Sequence, residues 1–274
     1  MVNALRAITP DLLKTLYRKS MVAIRAVIHA FDPTMSCRVR DKVIRLGVSS
    51  ELERYRAESY SSKEPETLDW LEENLKDGDV FMDVGANIGL YSLYAATLRS
   101  HARIYAFEPE AHNFSRLCRN ILLNGATNIT PCNFPLSDCE TFDLFYVGDA
   151  RPGAALHSFG RLSEFRRGPE CVLLRQGAIA VTLDALVGRY GLPQPALLKV
   201  DVDGLEEKIL NGAEAVLKSA QLRTILIEVT GKNDAGSAWP EQKLSPLGYA
   251  LTRKSDWIAE LNGLRSQNYI LSRA

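Results

Sequence analysis

A ten-residue segment, Phe81–Leu90 (FMDVGANIGL), restricts the fold of this chain more than any other part of the sequence. The mainly apolar run Val80–Val84 is typical of a buried parallel strand. Gly85 and Gly89 then allow a tight turn, and a helical pattern of apolar residues follows. A strand, a glycine turn and a helix in this order predict the ligand-binding turn of an α/β sheet.

The spacing of the glycines argues against a dinucleotide ligand. A G-x-G-x-x-G motif starting at Gly85 would need glycine at the positions of Asn87 and Leu90. The pattern Asp83-x-Gly85-x-Asn87-x-Gly89 instead suits a nucleoside with an amino-acid tail, because loop N–H groups and a nearby acid can hold the tail's charges. The turn therefore predicts a site for S-adenosylmethionine (SAM). An NAD-dependent dehydrogenase or epimerase is the alternative on the same type of sheet.

A second acidic residue follows the next predicted strand. Arg103–Phe107 (RIYAF) leads into Glu108, at the distance from the turn where an acid accepts hydrogen bonds from ribose hydroxyls. Pro109 ends the strand and lets a helix begin. A carboxylate that only stabilises a helix N-terminus is the alternative. Together with Asp83 and the turn, Glu108 favours ribose binding.

Length, charge and cysteine content narrow the class of protein. A chain of 274 residues can bury one sizeable core, and its formal net charge of zero gives no electrostatic argument for nucleic acid. The five cysteines are odd in number and form no C-x-x-C motif, so neither a disulfide framework nor a zinc site is predicted. Without a signal peptide or an 18-residue uncharged apolar run, we expect a cytoplasmic protein with no membrane span.

Strands alternate with helices along most of the chain, which predicts a doubly wound, mostly parallel α/β sheet. The ligands of such sheets bind beyond the carboxyl ends of the strands. The predicted order is strand 80–84, helix 89–99, strand 103–107, helix 112–123, strand 128–134, an inserted strand 142–147, strand 196–202, helix 205–218, strand 223–229 and a terminal antiparallel pair, 249–252 with 268–272.

The first 60 residues are predicted to form an extension, and residues 61–274 the main domain. Thr9 and Pro10 begin a basic amphipathic helical pattern. Such a helix either packs on the domain or a second subunit, or lies on a membrane surface, and we favour packing. Cys37–Leu46 alternates enough to predict a short strand or hairpin.

A second group of charged residues ends another apolar strand. Lys199, Asp201 and Asp203 alternate in the segment LLKVDVDG, where three charges are costly to bury unless they are paired. A structural ion pair of Lys199 with Asp201 or Glu228 and a role in substrate handling both remain open. The rule on strand ends selects a candidate site formed by Asp83–Gly89, Glu108, Phe134–Asp138, Lys199–Gly204 and Glu228.

Several segments resemble the FkbM-type family of SAM-dependent methyltransferases, in family order over roughly residues 50–230. They are FMDVGANIGLYS, IYAFEPEAHNFSRLCRNILLNG, PLSD, VTLDAL, LLKVDVDGLEEKILNGAEAVL and ILIEV. The FEP segment combined with KVDVDG is the most specific part. The family usually has Glu where this chain has Asp203, which keeps the charge but shortens its reach by one methylene.

The resemblance implies a class I SAM methyltransferase fold with a seven-stranded sheet, and O-methylation of a sugar, a polyketide or a similar metabolite. The FkbM pattern implies that Asp83, Gly85, Asn87 and Gly89 hold the methionine end of SAM, that Glu108 binds the ribose, that Ser137 and Asp138 lie near the adenine, and that Lys63, Glu64 and Asp203 border the substrate.

Methyl transfer to a hydroxyl also requires a proton to leave, and a positioned base helps. His157, in the irregular segment 148–178, is one candidate base, and an ordinary exposed loop histidine is its alternative. Asp201 is the other candidate base, with Lys199 beside it. Asp201 and Asp203 are hard oxygen ligands, but the sequence offers no firm third ligand, so no metal is predicted.

The expected partner is a small-molecule or carbohydrate acceptor, and a homo-oligomer is left open. A SAM-binding scaffold without catalysis, and a methyltransferase acting on RNA or protein, are the remaining alternatives. The net charge of zero disfavours RNA.

Overall fold

The computed structural model describes residues 32–160, 171–231, 238–259 and 265–273, with five separate positions between residues 14 and 20. Apart from those positions, the helix predicted from Thr9 lies outside the described residues, as does part of the irregular segment 148–178.

Strands and helices alternate through the middle of the chain. The strands are β1 (Thr34–Val39), β2 (Lys42–Gly47), β3 (Val80–Val84), β4 (Arg103–Phe107), β5 (Ile129–Cys132), β6 (Thr141–Val147), β7 (Ser158–Phe159), β8 (Leu174–Ala180), β9 (Leu197–Val200), β10 (Thr224–Gly231), β11 (Tyr249–Lys254), β12 (Ile258–Ala259) and β13 (Arg265–Arg273). The helices are α1 (Glu51–Ser59), α2 (Pro65–Asn74), α3 (Leu90–Leu98), α4 (Ala111–Asn124), α5 (Leu183–Gly188), α6 (Glu206–Asn211), α7 (Glu214–Lys218) and α8 (Trp239–Leu244).

The main sheet is mostly parallel, as the sequence predicts. In the described part of the chain its order is β11-β13-β10-β9-β3-β4-β5, and the short β12 also pairs with β13. The central pairs are parallel, whereas β13 runs antiparallel to both β10 and β11. The chain runs outward from β3 through β4 and β5, and then crosses to β9 on the other side of β3. This change of direction opens a crevice at the carboxyl ends of β3 and β9.

Apolar side chains cover both faces of this sheet. On one face, the Trp70 ring of α2 packs against Phe81 of β3 with the ring centroids 5.8 Å apart. On the other face, residues of α5 to α8 form a second buried cluster with β9, β10 and β13. The alternation of strands and amphipathic helices produces this three-layer arrangement, because each helix buries one apolar stripe on the sheet.

The N-terminal hairpin packs into the same core as the main domain. β1 and β2 pair antiparallel, which confirms the predicted hairpin, and Val39, Ile44 and Leu46 are fully buried in the cluster that contains Trp70. The Arg116 guanidinium of α4 lies 2.6 Å from a carboxylate oxygen of Glu53 in α1. The sequence analysis missed α1, whose residues are mostly polar.

Two further regions differ from the predicted elements. The helix predicted over 205–218 is wrong as one element: α6 and α7 are separated at Gly212, where a Cβ atom would lie 2.1 Å from the Ser137 carbonyl oxygen. The strand predicted at 142–147 is confirmed as β6, and within the described residues it is the centre of a small antiparallel sheet, β7-β6-β8, inserted between β5 and β9.

Candidate active site

A cavity of about 900 Å³ lies at the carboxyl ends of the central strands. Residues that follow β3, β4 and β9, and Glu228 near the end of β10, form one part of its wall. Residues of α1, the residues just before α2, the segment 134–136 and the segment from Gly148 to Phe159 form further parts of the wall. The cavity therefore lies where ligands of doubly wound sheets bind, and its volume suits a small organic ligand.

Gly85 joins the turn after β3 to the loop after β9. Its φ is +87°, and a Cβ atom on it would lie 1.7 Å from the backbone oxygen of Asp201. The Asp201 N–H in turn donates to the Val84 carbonyl oxygen at 3.0 Å. Glycine is therefore required here for the approach of two protein segments, in addition to any approach of a ligand.

Asn87 and Glu108 form a hydrogen-bonded part of the cavity wall. The Asn87 N–H donates to one carboxylate oxygen of Glu108 at 2.8 Å, and the Glu110 N–H donates to the other at 2.8 Å. Burial raises the pKa of Glu108 to about 8, although both N–H groups act in the opposite direction. Because a carboxylate oxygen can accept two hydrogen bonds, each oxygen can still accept one from a ligand hydroxyl.

Asp83 lies behind the turn and is not part of the cavity wall. The Ser92 hydroxyl donates to one oxygen of its carboxyl group at 2.5 Å, and the other oxygen has no hydrogen-bond partner among the described residues. Burial raises the pKa of Asp83 against the charge of Lys199, which pairs with it in register between β3 and β9. The structure thus brings Asp83 next to Lys199.

Three other residues implied for SAM also lie outside the wall. Gly89 precedes α3 and packs against Leu117 of α4, to whose Cδ1 atom an added Cβ would come within 2.5 Å. The Ser137 hydroxyl donates to Asp138 at 3.2 Å, and neither side chain reaches the cavity wall. The preceding segment 134–136 does line it.

One end of the cavity is apolar. Phe134 packs edge-on against Phe107 with the ring centroids 5.7 Å apart, and Pro135, Leu136 and Ile209 line the cavity beside them. These side chains offer a flat, hydrophobic surface next to the Glu108 carboxyl group, which suits an aromatic base attached to a ribose.

The opposite end of the cavity carries a buried cluster of charges. The Lys199 ammonium group is fully enclosed and lies 2.6 Å from a carboxylate oxygen of Asp201 and 5.0 Å from the centre of the Tyr91 ring. Burial disfavours the charge on Lys199, but the carboxylates of Asp201, Asp83 and Glu64 outweigh burial and raise its pKa. Lys199 is therefore a fixed cation.

Asp201 and Glu228 contact each other in this cluster through a hydrogen bond between their carboxyl groups. Burial alone would raise the pKa of Asp201, but the charge of Lys199 and the hydrogen bond with Glu228 lower it. Burial and the negative charge of Asp201 raise the pKa of Glu228 well above its usual range. Of the two carboxyl groups, Glu228 therefore binds a proton more readily than Asp201.

Lys63 and Glu64 line the same end of the cavity. The Lys63 ammonium group lies 3.3 Å from a carboxylate oxygen of Glu64, and Glu64 is hydrogen-bonded to the Tyr91 hydroxyl. Sequence reasoning did not single out Tyr91, because its place in the helical pattern after the turn indicated packing.

A short segment, Gly153–His157, lines the cavity and is called the strap. The amide groups of Asn87 and Asn113 both donate to the Ala154 carbonyl oxygen, at 2.8 and 3.1 Å. The Asp203 carboxylate accepts a hydrogen bond of 2.6 Å from the Leu156 N–H. Two residues implied for ligand binding, Asn87 and Asp203, thus hold the strap in place.

The strap also positions His157. This side chain lines the cavity and is only 7% exposed, with its ring centre 6.0 Å from that of Phe145 in β6. His157 is therefore not the ordinary exposed loop histidine that was its alternative.

Sequence reasoning also missed Asn113 and Glu206. The Asn113 side-chain oxygen accepts a hydrogen bond from the Gly153 N–H at 2.7 Å. The one feature that could have indicated Asn113 is an amide side chain in the first turn of α4, where it is buried. The Glu206 carboxylate accepts from the N–H groups of Val202 and Gly204 at 3.1 and 3.0 Å, which fixes the loop after β9. Burial raises the pKa of Glu206 to about 7.

Among the described residues, no three His, Cys, Asp or Glu side chains are arranged to hold a metal ion. No helix among them is both long enough and apolar enough to span a bilayer.

Comparison with known proteins identifies a family that matches this chain. The family described as the methyltransferase FkbM domain matches residues 83–271. The chain is 28% identical over 198 residues to hexuronic acid methyltransferase AglP of Haloferax volcanii, an alignment that covers 71% of this chain and 75% of AglP. It is 30% identical over 211 residues to methyltransferase sdnD of Sordaria araneosa, covering 68% of this chain and 80% of sdnD.

Other relatives are matched over smaller shares of their length. The chain spans 61% of 31-O-demethyl-FK506 methyltransferase FkbM of Streptomyces tacrolimicus, at 26% identity over 51% of this chain. It spans 10% of the AMB antimetabolite synthetase AmbE of Pseudomonas aeruginosa, at 32% identity over 66% of this chain. Among solved structures, PH0793 of Pyrococcus horikoshii has a TM-score of 0.50 at 12% identity, with 88% of this chain and 72% of that chain covered. The fold is that of the class I SAM methyltransferases.

Proposed function

Because the chain belongs to the FkbM methyltransferase family, we propose that it transfers a methyl group from SAM to a hydroxyl group of a small molecule or glycan. The observation that carries this proposal is the position of Glu108. Its buried carboxyl group lies at the carboxyl end of β4, faces the cavity beside the glycine turn, and has one acceptor position left on each oxygen. Two neighbouring ribose hydroxyls would match these two positions.

The residues present around the cavity fit SAM. The segment Gly85–Asn87 would lie along the methionine part, Glu108 would bind the ribose, and the apolar end formed by Phe134, Pro135 and Leu136 would contact the adenine. SAM, when bound, supplies an activated methyl group on a sulfonium ion, so that the protein has mainly to orient the reactants. Asn87 contributes through its backbone position, since its side chain holds the strap.

The charged end of the cavity would receive the acceptor. Lys199 fixes Asp201 at 2.6 Å, which keeps this carboxylate ionised and facing the cavity, and Asp201 would take the proton of the acceptor hydroxyl. His157 in the strap lines the same cavity and would contact the acceptor or serve as the second proton acceptor. Lys63, Glu64 and Asp203 would border the acceptor through their polar groups.

The relatives support a class of acceptor but do not name one for this chain. AglP acts on a hexuronic acid, and the FkbM enzyme acts on a demethylated FK506. Both acceptors belong to the class of sugars and secondary metabolites, which carry many hydroxyl groups. We propose an acceptor of this class for the present chain.

Calorimetric titration of the full chain with SAM, S-adenosylhomocysteine and NAD tests the cofactor. We expect micromolar binding of the first two and no binding of NAD, because Asn87 and Leu90 occupy the positions where a pyrophosphate needs glycine. Binding of NAD alone would reverse the assignment. Binding of SAM without methylation of any sugar or polyketide in a broad panel would favour the scaffold alternative.

A further inference from the structure

We propose that Glu228 is a positioning residue for methyl transfer: its neutral carboxyl group donates a hydrogen bond to Asp201 and holds that carboxylate, beside Lys199, in place to take the acceptor's proton. This inference rests on the proposed function, because Asp201 is the base assigned there. It adds a partner whose side chain acts on the base and not on the cofactor.

The sheet itself places the two carboxyl groups together. Val200 of β9 pairs with Ile227 of β10 in the parallel register, so Asp201 and Glu228 are the next residues along two neighbouring strands. Both line the cavity, and their carboxyl groups share a hydrogen bond. Two carboxyl groups in contact retain one proton between them, because two adjacent negative charges repel strongly in a buried site.

The surroundings decide which carboxyl group keeps that proton. Asp201 has the Lys199 ammonium group at 2.6 Å, which stabilises its ionised form. Glu228 is only 7% exposed, and the negative charges of Asp201, Glu64 and Asp203 all raise its pKa in addition to burial. The titratable and polar groups around it come from β9 and its loop, the start of α2, α3 and β13; they are Lys199, Asp201, Asp203, Lys63, Glu64, Tyr91 and the uncharged Asn268 opposite it in the sheet.

Each ammonium group of the cluster pairs with one carboxylate, Lys199 with Asp201 and Lys63 with Glu64. When the acceptor oxygen bonds to the methyl carbon, the carbon–sulfur bond breaks, its electron pair stays on sulfur, and the hydroxyl proton passes to Asp201. The cluster gains one positive charge as the sulfonium loses one, so the net charge of the buried site does not change.

The protonation state of Glu228 can be measured without any acceptor. We would label the full chain with a carbon isotope at the glutamate side-chain carboxyl and follow the signals by nuclear magnetic resonance over a pH titration. A signal of a neutral carboxyl group at neutral pH that is absent in Glu228→Gln identifies Glu228. In Asp201→Asn we expect its pKa to fall by about 1–3 pH units, because the neighbouring negative charge is gone.

Glu108 and Glu206 are the internal controls. Both are buried carboxyl groups with a raised pKa, but backbone N–H groups are their main hydrogen-bond partners. Their titrations should therefore be the same in Asp201→Asn as in the unmodified chain. An ionised Glu228 at neutral pH, or a Glu228 titration that Asp201→Asn leaves unchanged, overturns the proposal.

The kinetic role is tested with an acceptor from the panel. Glu228→Gln retains a donor towards Asp201, whereas Glu228→Leu removes it. We expect kcat to fall roughly 10- to 100-fold further in the Leu variant than in the Gln variant, with the same KM for SAM in both. Equal kcat values in two folded variants would overturn the positioning role. Absence of SAM binding in calorimetry would instead refute the proposed function, whatever the carboxyl titration shows.

Discussion

At the two ends of the cavity, the contacts that hold the wall residues in place differ in how far apart in the sequence their partners lie. At the cofactor end, Glu108 accepts N–H groups from Asn87 and Glu110, which are 21 and 2 residues away in the chain. At the acceptor end, Asp203 holds Leu156 over 47 residues, and Arg56 donates to the Gly153 carbonyl oxygen over 97 residues. The Glu108 carboxyl group at the cofactor end is therefore held by backbone groups of one strand–turn–strand segment, whereas the strap at the acceptor end is held by side chains from segments distant in sequence.

This difference separates two functions within one cavity. A carboxylate fixed by backbone N–H groups has little freedom, which suits a ligand that never changes. Side chains on a strap and on α1 and α2 can be exchanged without disturbing the sheet, which suits an acceptor that differs between relatives. A substitution at one end should therefore change the function of that end alone. Gly85, which joins the two ends, is the exception.

The largest expected effect is on turnover alone. Asp201→Asn should reduce kcat by about 10²- to 10⁴-fold, because an amide cannot accept the proton of the acceptor. The Kd for SAM, measured by calorimetry, should stay within a factor of about three, since the assigned SAM contacts lie at the other end. Asp149→Asn is the matched control, because it removes another carboxylate from the cavity wall, one that pairs with the exposed Arg151. Full activity of Asp201→Asn would exclude Asp201 as the base.

Gly85 joins the two ends, so its substitution should damage both. Gly85→Ala should lower the free energy of unfolding by about 2–5 kcal/mol, from the positive φ and from the contact with the Asp201 oxygen. Gly78→Ala is the control: its φ of +84° is almost the same as the +87° of Gly85, but an added Cβ meets no described atom within 4 Å. Urea denaturation of both variants isolates the contact. Equal losses of unfolding free energy in the two variants would mean that the contact with the Asp201 oxygen does not destabilise Gly85→Ala.

Glu108 should affect only the cofactor end. Glu108→Gln should weaken SAM binding by about 1–3 kcal/mol, because charge-assisted hydrogen bonds to the ribose become neutral ones. At saturating SAM, kcat should stay close to that of the unmodified chain. Titration calorimetry measures the first quantity, and an unchanged Kd would remove Glu108 from the ribose site.

The raised pKa of Glu108 makes SAM binding depend on pH. In the free protein this pKa is about 8, and hydroxyl donors from a ribose favour the ionised form, so binding should release a proton. Affinity should therefore rise with pH, by at most about tenfold per unit, and level off above pH 8. The slope should disappear in Glu108→Gln. A slope that persists there would assign the proton to another group.

The smallest effect is expected for the strap. Asn113→Ala removes a hydrogen bond to the Ala154 carbonyl oxygen and one from the Gly153 N–H. The loss should weaken the attachment of the strap by about 1–2 kcal/mol. The KM for the acceptor should rise several-fold, and the Kd for SAM should change less. A larger change in SAM binding than in acceptor KM would show that the strap belongs to the cofactor end.

Much of the cofactor end could be predicted from the sequence. The apolar run before Gly85, the glycine spacing and the acid before Pro109 all concern residues close in the chain, and backbone conformation and burial follow from such local patterns. The same reasoning placed β3, β4, β9 and β10 within a few residues, and with them the crevice. It mistook α6 and α7 for one helix, because the close approach of the Ser137 carbonyl group to Gly212 between them involves a segment distant in sequence.

What the sequence determined, then, is the sheet, the turn at Gly85 and the position of Glu108. Only the tertiary structure decided that Asp83 lies behind the turn, that Gly85 contacts the Asp201 backbone, and that the carboxyl groups of Glu228 and Asp201 meet. The physical reason is that a carboxyl group's charge state depends on burial and on its neighbours in space. Those neighbours come from strands that are distant in sequence and meet only when the sheet has formed.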